Sequence, residues 1–399
     1  MNFPTINITP RAAHQLACGD LWIFSNEVDM RTVPDQPGSW CWFACRGTIV
    51  ATGYINRHSL IAGRVVAAGR CDDISGIIEQ RLQNAFSRRI ELSRAGSARL
   101  VFSESDFLPG LIVDWYSGIA VVQSSTAGID CVLDTLTESM PRVYQQVFGT
   151  SLSGLVVRAD AQVRRLEGID NFSRVAFGEQ DAIVNGICQE FDVHYAADFL
   201  NGQKTGFFLD QRRNRIFLGE LVRENPSATM LDLCCYSGGW GLRGLAAGVR
   251  ETVFVDQSPS ALLLVKRGLE LNSIASDKAR CIESDVFDYL DAGNDSFDVV
   301  VADPPAFVKS KKDLPHARHA YEKLNRLAWR KVKQGGVLIT CSCSHHIADP
   351  EFVEIVRTAV AKEKSQAHLF YRGYQAEDHP VLLSMPETSY LKCLGVRKI

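Results

Sequence analysis

The stretch from Ala228 to Ser344 constrains the fold most, because apolar runs recur in it at the spacing of strands separated by helices. The first run, Ala228-Thr-Met-Leu-Asp-Leu233, leads into a turn of small residues, Cys234-Cys-Tyr-Ser-Gly-Gly239, and then a helical pattern. Three further runs each end in an acid: Thr252-Val-Phe-Val-Asp256, Ala279-Arg-Cys-Ile-Glu-Ser-Asp285 and Phe297-Asp-Val-Val-Val-Ala-Asp303. Another, Gly335-Gly-Val-Leu-Ile-Thr-Cys-Ser-Cys-Ser344, ends in thiols and hydroxyls. A helix over Glu351–Lys362 and two more strands, Ala367–Arg372 and Tyr390–Val396, complete the pattern. The loop between those last strands predicts a β-hairpin at the sheet edge. Strands alternating with helices predict an α/β fold around a mostly parallel, Rossmann-like sheet, here of seven strands. Such sheets bind ligands beyond the carboxyl ends of their strands. Asp232, Gly238, Asp256, Asp285, Asp303 and Cys343 all fall at or near those ends.

A chain of 399 residues has room for two or three domains. Residues 1–71 read as a small β-rich domain, in which runs such as Ser39-Trp-Cys-Trp-Phe43 and Thr48–Ile55 alternate with turn residues. This segment holds six arginines (11, 31, 46, 57, 64 and 70) against four acids (20, 27, 29 and 35). Cations beside tryptophan and phenylalanine suit RNA, where phosphates need charge and bases stack. The alternative is a barrel with an aromatic core. Residues 72–186 read as a small α+β domain with helices over Ile77–Leu92 and Cys131–Phe148, and Arg164-Arg165 on a solvated face. Residues 187–399 hold the sheet domain. No lysine precedes Lys204. The overall charge of −3 gives no bulk attraction to nucleic acid, so phosphate contacts must come from local patches. No signal-peptide pattern or run of about 18 apolar residues is present. The twelve cysteines lack paired spacing, which predicts reduced thiols in a cytoplasmic protein without a membrane segment.

The acids at the strand ends select the cofactor. A dinucleotide would set its pyrophosphate against the glycine turn, and Asp232 would repel that anion. Asp232 instead suits the ammonium of an amino acid. Asp256 suits two ribose hydroxyls, and Asp285 suits an adenine amine. Together they describe a nucleoside joined to an amino acid, as in S-adenosylmethionine. The cofactor set expected is Asp232, Tyr236, Ser237 and Gly238, then Asp256 and Gln257, Asp285 and Val286, and Asp303. The polar and glycine-rich cluster Gly202–Arg215 adds Phe207, Gln211 and Arg215, the alternative there being a helix cap with a basic first turn.

Asp303-Pro-Pro-Ala-Phe307 and Cys341-Ser-Cys343-Ser carry the chemistry. Amino methylation needs no thiol. Carbon 5 of a pyrimidine is a poor nucleophile until a thiolate adds to carbon 6, and then it can attack a methyl group. Cys341 and Cys343 point to one face of a strand, with Cys343 nearer the ligand end. Cys343 is therefore the expected nucleophile, and Asp303 the group that holds and protonates ring nitrogen 3. A metal reading of the two thiols with His345 and His346 lacks the usual Cys-x-x-Cys spacing.

These residues, with Gly19-Asp-Leu-Trp-Ile-Phe24, Asp106-Phe-Leu-Pro-Gly-Leu-Ile-Val-Asp114, Gly202-Gln-Lys-Thr-Gly-Phe-Phe-Leu-Asp-Gln-Arg212 and Asp378-His-Pro380, make the chain resemble the RlmI-type bacterial 23S ribosomal RNA cytosine-5 methyltransferases, over nearly its whole length. The resemblance implies an N-terminal PUA domain, a small middle domain and a class I S-adenosylmethionine-dependent methyltransferase domain. It also implies Cys343 as nucleophile, with 23S ribosomal RNA as partner. A homodimer is a candidate assembly. Lys309, Lys311 and Lys312 would then join the arginines of the first domain in holding phosphates. Two alternatives remain: guanine methylation on the same fold without a covalent step, and a non-catalytic RNA-binding or ribosome assembly factor.

Overall fold

The computed structural model describes residues 3–307 and 313–399. They divide into two compact units. The first runs to Gly186 and takes in Asp198–Phe207 and Asp378–Thr388; the second holds Ile187–Ala197, Phe208–Glu377 and Ser389–Ile399.

The first unit carries two five-stranded sheets. One is built from Thr5–Asn7, Ser39–Cys45, Thr48–Ile55, Ile61–Ala68 and Trp22–Phe24, in that spatial order. Its aromatic and β-branched residues turn inward, so Phe43 and Ile55 are fully buried beside Ile6 and Ile23. The other has the order Phe172–Phe177, Gly154–Ala159, Ile119–Ser124, Leu111–Tyr116 and Ser97–Phe102. Helices Ile74–Ser87 and Leu133–Phe148 supply Leu82, Phe86, Leu136 and Met140 to the core against it. Each such side chain contributes roughly 1.5–3 kcal/mol by leaving water. Asp378 ties the second inserted segment into this unit, accepting from the Arg99 backbone N–H at 2.9 Å, while Ser384 donates to the Gly19 carbonyl at 2.8 Å.

The second unit is built on strands β1 (Thr229–Leu233), β2 (Glu251–Asp256), β3 (Ala279–Glu283), β4 (Phe297–Ala302), β5 (Val332–Ser342), β6 (Ala367–Gly373) and β7 (Lys392–Lys398). Their spatial order is β3-β2-β1-β4-β5-β7-β6. The pairs from β3 to β5 are parallel, and β7 runs antiparallel to both β5 and β6. Helices are α1 (Arg212–Arg223), α2 (Gly239–Ala246), α3 (Pro259–Leu271), α4 (Val286–Asp291), α5 (Leu314–Arg330) and α6 (Asp349–Lys362). Leu231, Val253, Val300 and Leu338 of the sheet pack with Tyr321, Leu324, Trp329 and Phe352 of α5 and α6. The strand order reverses at β1, which opens a crevice at the carboxyl ends of β1 and β4. No described helix is long and apolar enough to cross a membrane, and none of the twelve cysteines is bridged.

The predicted edge hairpin forms: β6 and β7 are antiparallel neighbours, with β6 outermost and β7 next to β5. Several other expectations change. The helix expected to reach Leu92 stops at Ser87, and Arg88 and Arg89 beyond it both bind Asp106. Arg164 is not on a solvated face. It is 1% exposed and binds Asp130 and the carbonyls of Ser124 and Asp170. Five of the six arginines in residues 1–71 pair with carboxylates, namely Arg11 with Glu27, Arg31 with Asp29, Arg57 with Asp35, Arg64 with Glu167 and Arg70 with Asp72. Arg46 alone of the six makes no ion pair among the described residues, so the apparent cationic surplus of this segment is largely neutralised locally. Lys309, Lys311 and Lys312 lie outside the described residues.

Candidate active site

The turn after β1 is wound tightly. Cys234, Tyr236 and Gly238 all have positive φ, at 58°, 48° and 77°. For Cys234 and Tyr236 this costs on the order of 1 kcal/mol each. Such alternation turns backbone N–H groups inward and is held only where the surroundings enforce it. The enforcing group is Asp256, at the end of β2: its Oδ2 accepts from the Tyr236 N–H and its Oδ1 from the Ser258 N–H, both at 2.9 Å. A carboxylate has about four acceptor sites, so half of its capacity is still available to hydroxyl donors. Gly241, the third residue of α2, allows close packing on β2, since a Cβ there would lie 2.2 Å from the Phe254 ring.

Asp232 is fully buried in β1. Its Oδ2 accepts from the Gly241 N–H at 2.8 Å, while its Oδ1 has no partner among the described residues. Burial pushes its carboxyl up to about 8, against the pull of the Gly241 N–H and with a further push from the charges of Asp303 and Asp256. The Ser237 hydroxyl, in the same turn, is also buried and without a partner among the described residues. An orphaned carboxylate oxygen and an orphaned hydroxyl beside one strand end fit a ligand bearing an ammonium and an acceptor. That chemistry matches the amino-acid half of S-adenosylmethionine.

Asp303, at the end of β4, presents Oδ2 to two donors: the Trp240 indole N–H at 2.9 Å and the Gln211 amide at 3.1 Å. Gln211 is itself fixed by Asn214, whose amide donates to its Oε1 at 2.6 Å, and the Tyr371 hydroxyl donates to Asn214 at 2.8 Å. Asn214 lies within the Gly202–Arg215 cluster but has no signal of its own, and the only sequence signal for Trp240 is a large aromatic directly after a turn of small residues.

The two thiols separate sharply. Cys341 is fully buried within β5, opposite Cys393 on β7, and burial drives its thiol far up. Cys343 lies one residue past the end of β5 and is partly exposed. In the parallel register Ala302 faces Thr340, so Asp303 and Cys343 emerge at the same end of neighbouring strands.

The remaining expected residues have other surroundings. Asp285 is exposed, and its Oδ1 caps α4 by accepting from the Phe287 N–H at 2.8 Å. Val286 packs on the apolar core, and Gln257 is exposed at the end of β2. Arg215 has a different role from the one expected. It is 2% exposed and forked onto Glu190, with Nη2 also donating to the Phe208 carbonyl at 3.0 Å, so it anchors α1. Phe207 is buried in the first unit. Gln211 is drawn to the site by its bond to Asp303.

A central parallel sheet in this order, with acids at successive strand ends, is the S-adenosylmethionine-dependent methyltransferase fold. A Streptococcus mutans protein assigned to those methyltransferases superposes with a TM-score of 0.82 at 17% identity, covering 99% of this chain and 100% of that one. A second methyltransferase structure, complexed with S-adenosylhomocysteine, gives 0.81 at 18% identity over the whole of both chains. Residues 6–67 match the PUA-like domain family, and residues 198–372 match the family described as Conserved hypothetical protein 95. The ribosomal RNA large subunit methyltransferase I of Aeromonas hydrophila is 33% identical over 394 residues, 94% of each chain, and that of Tolumonas auensis is 33% identical over 389 residues, 95% of each. The chain belongs to the family of ribosomal RNA large subunit methyltransferases I.

Proposed function

We propose that this protein methylates carbon 5 of a cytosine in 23S ribosomal RNA through a covalent adduct on Cys343. The observation that carries the reading is the separation of the two thiols: Cys341 is sealed in the sheet, and Cys343 opens at the strand end beside Asp303. Bound S-adenosylmethionine supplies an electrophilic methyl group. Asp232 and Ser237 hold its amino-acid half, and Asp256 its ribose hydroxyls. Asp285 shares its carboxylate between capping α4 and the adenine edge. The Cys343 thiolate adds to carbon 6 of the base, which makes carbon 5 the atom that attacks the methyl group. Asp303, oriented by Trp240 and Gln211, faces the nitrogen 3 edge and in its protonated form gives that nitrogen a proton as negative charge develops there. A base then takes the carbon 5 proton, the carbon 5–carbon 6 double bond re-forms, and the sulfur–carbon 6 bond breaks with its electron pair returning to Cys343 as nitrogen 3 gives its proton back. The PUA-like domain and the small domain after it, residues 1–71 and 72–186, serve RNA positioning, and residues 187–399 the chemistry.

The test uses 5-fluorocytidine-substituted ribosomal RNA with S-adenosylmethionine. Fluorine at carbon 5 cannot leave as a proton does, so the adduct is trapped and runs as a protein–RNA band on a denaturing gel. We expect the band with the wild type and Cys341→Ala, and none with Cys343→Ala. No band with the wild type, while unsubstituted RNA is still methylated, would sink the covalent mechanism and leave methylation of a guanine as the better reading.

A further inference from the structure

Lys392 opens β7 and is 6% exposed. Its ammonium donates to the Ser344 carbonyl at 2.6 Å and the Tyr390 carbonyl at 2.8 Å, and it makes no ion pair among the described residues. An ammonium has three N–H bonds, and two are used on neutral acceptors. A buried cation without an anion is costly, and such a group is retained where a charge appears next to it. Ser344, whose carbonyl it grips, is the neighbour of Cys343, and Lys392 itself faces Ser342 across the β5–β7 ladder. The groups whose charges act on Lys392 are Cys343, Asp349 and Glu351. Asp349 is already bound by Arg372 and Glu351 by Arg318. Tyr321 and His345 also border this corner. Tyr321 bonds to the Ser344 hydroxyl at 3.0 Å and is pushed up to about 12 by burial, and the His345 ring lies 5.5 Å from that of Tyr390. The Cys343 thiol, one residue from the carbonyl that Lys392 holds, is able to become that anion. Burial draws Lys392 down to about 8, against the upward pull of the charges of Cys343, Asp349 and Glu351.

We propose that Lys392 is the positioning residue of the Cys343 thiolate, holding the residue's backbone through Ser344 and its sulfur through charge. The inference rests on the reading of Cys343 as the nucleophile. The thiol proton leaves to water and the electron pair stays on sulfur, one residue from the carbonyl that the ammonium holds. Addition uses that pair to form the sulfur–carbon 6 bond. Elimination returns the same pair to sulfur, so Lys392 stabilises the anion at the start and at the end of the cycle.

The test needs no RNA. Alkylation of Cys343 by iodoacetamide is followed by peptide mass spectrometry from pH 6 to 10 in full-length wild type, Lys392→Met, Lys392→Gln and Lys392→Arg. Loss of the cation should raise the midpoint of reactivity, slowing alkylation at pH 7 about tenfold in Lys392→Met and Lys392→Gln. Lys392→Arg, which keeps the charge, should stay within about threefold of wild type. Binding of labelled S-adenosylmethionine checks that each variant is folded, and Lys392→Gln replaces Lys392→Met if the latter does not fold. A wild-type pH profile in a folded neutral variant overturns the proposal. The fluorocytidine gel separates the two ideas. A shifted profile with no wild-type adduct overturns the nucleophile and leaves the Lys392–Cys343 pair standing; an adduct with an unshifted profile overturns Lys392 alone.

Discussion

Asp106, Asp114 and Glu167 in the first unit and Asp232 in the second are all fully buried carboxylates, yet their surroundings are opposite. Asp106 is forked by Arg89, Asp114 is forked by Arg99, and Glu167 meets Arg64 at 3.0 Å. Asp232 receives one backbone N–H and no cation. Lys392 mirrors it as a buried cation with no carboxylate. The difference follows from what each charge is kept for. A buried ion pair with all of its hydrogen bonds made locks two chain segments together and has nothing left for a ligand. A buried charge left half-satisfied at the carboxyl end of a parallel strand lowers the stability of the empty protein and is stabilised when its partner arrives. Glu190 shows that the rule concerns position and not the unit: it ends a strand of a separate two-stranded sheet, Gly186–Glu190, and there it is paired with Arg215.

The sharpest way to break this comparison is to neutralise one acid of each kind. Asp114→Asn strands the Arg99 guanidinium, and we expect a loss of about 3–5 kcal/mol in urea unfolding. A loss below about 1 kcal/mol would erase the contrast. Asp232→Asn should do the reverse. Cofactor affinity by calorimetry should fall roughly a hundredfold, about 2.7 kcal/mol. The empty protein should become more stable, with a sign fixed by linkage. The Asp232 carboxyl stands at about 8 in the folded chain against an ordinary 3.8. Its contribution to stability is complete below the unfolded value and drains away as pH rises through the folded one. The melting temperature of Asp232→Asn should therefore match that of wild type near pH 4 and exceed it increasingly up to about pH 8, by on the order of 5 °C. A gap that narrows over that range would show that Asp232 is ionised and satisfied in the empty protein. The smallest effect concerns the donors on Asp303. Trp240→Phe keeps the ring and removes the indole N–H, and single-turnover methyl transfer should slow about tenfold, near 1.4 kcal/mol, with cofactor affinity unchanged. Equal loss in both quantities would assign Trp240 to packing instead.

The buried arginines of the first unit sit where lysine could not replace them. Arg89, Arg99 and Arg164 each fork a carboxylate or bridge several acceptors while almost fully buried. A planar guanidinium with five donors does this, and a single ammonium point does not. Nothing in the sequence pairs these arginines with their acids, which are 15 to 34 positions away, and Arg64 with Glu167 is a still more distant pair. That is why Arg164 reads as surface and proves to be core. Trp240 and Asp303 are likewise 63 positions apart, and their bond is visible only in the fold. The strands were legible for the opposite reason. Strands of a parallel sheet covered on both faces are continuous apolar runs, and the polar residue that ends each run marks the ligand side.

The parallel sheet, the carboxyl ends of its strands, the acids there and the thiol nearest them can all be read from the order of residues. These depend on local pattern, with a period of two along strands and 3.6 along helices, and the pattern is written in consecutive residues. Which charges are paired emerges only on folding. Folding closed five of the six N-terminal arginines into ion pairs, gave Arg215 to Glu190, left Asp232 and Lys392 without charged partners, and carried Asp198–Phe207 and Asp378–Thr388 into the first unit. The physical reason is that pairing depends on distance in space, and burial sets its strength. A chain read in order contains neither quantity.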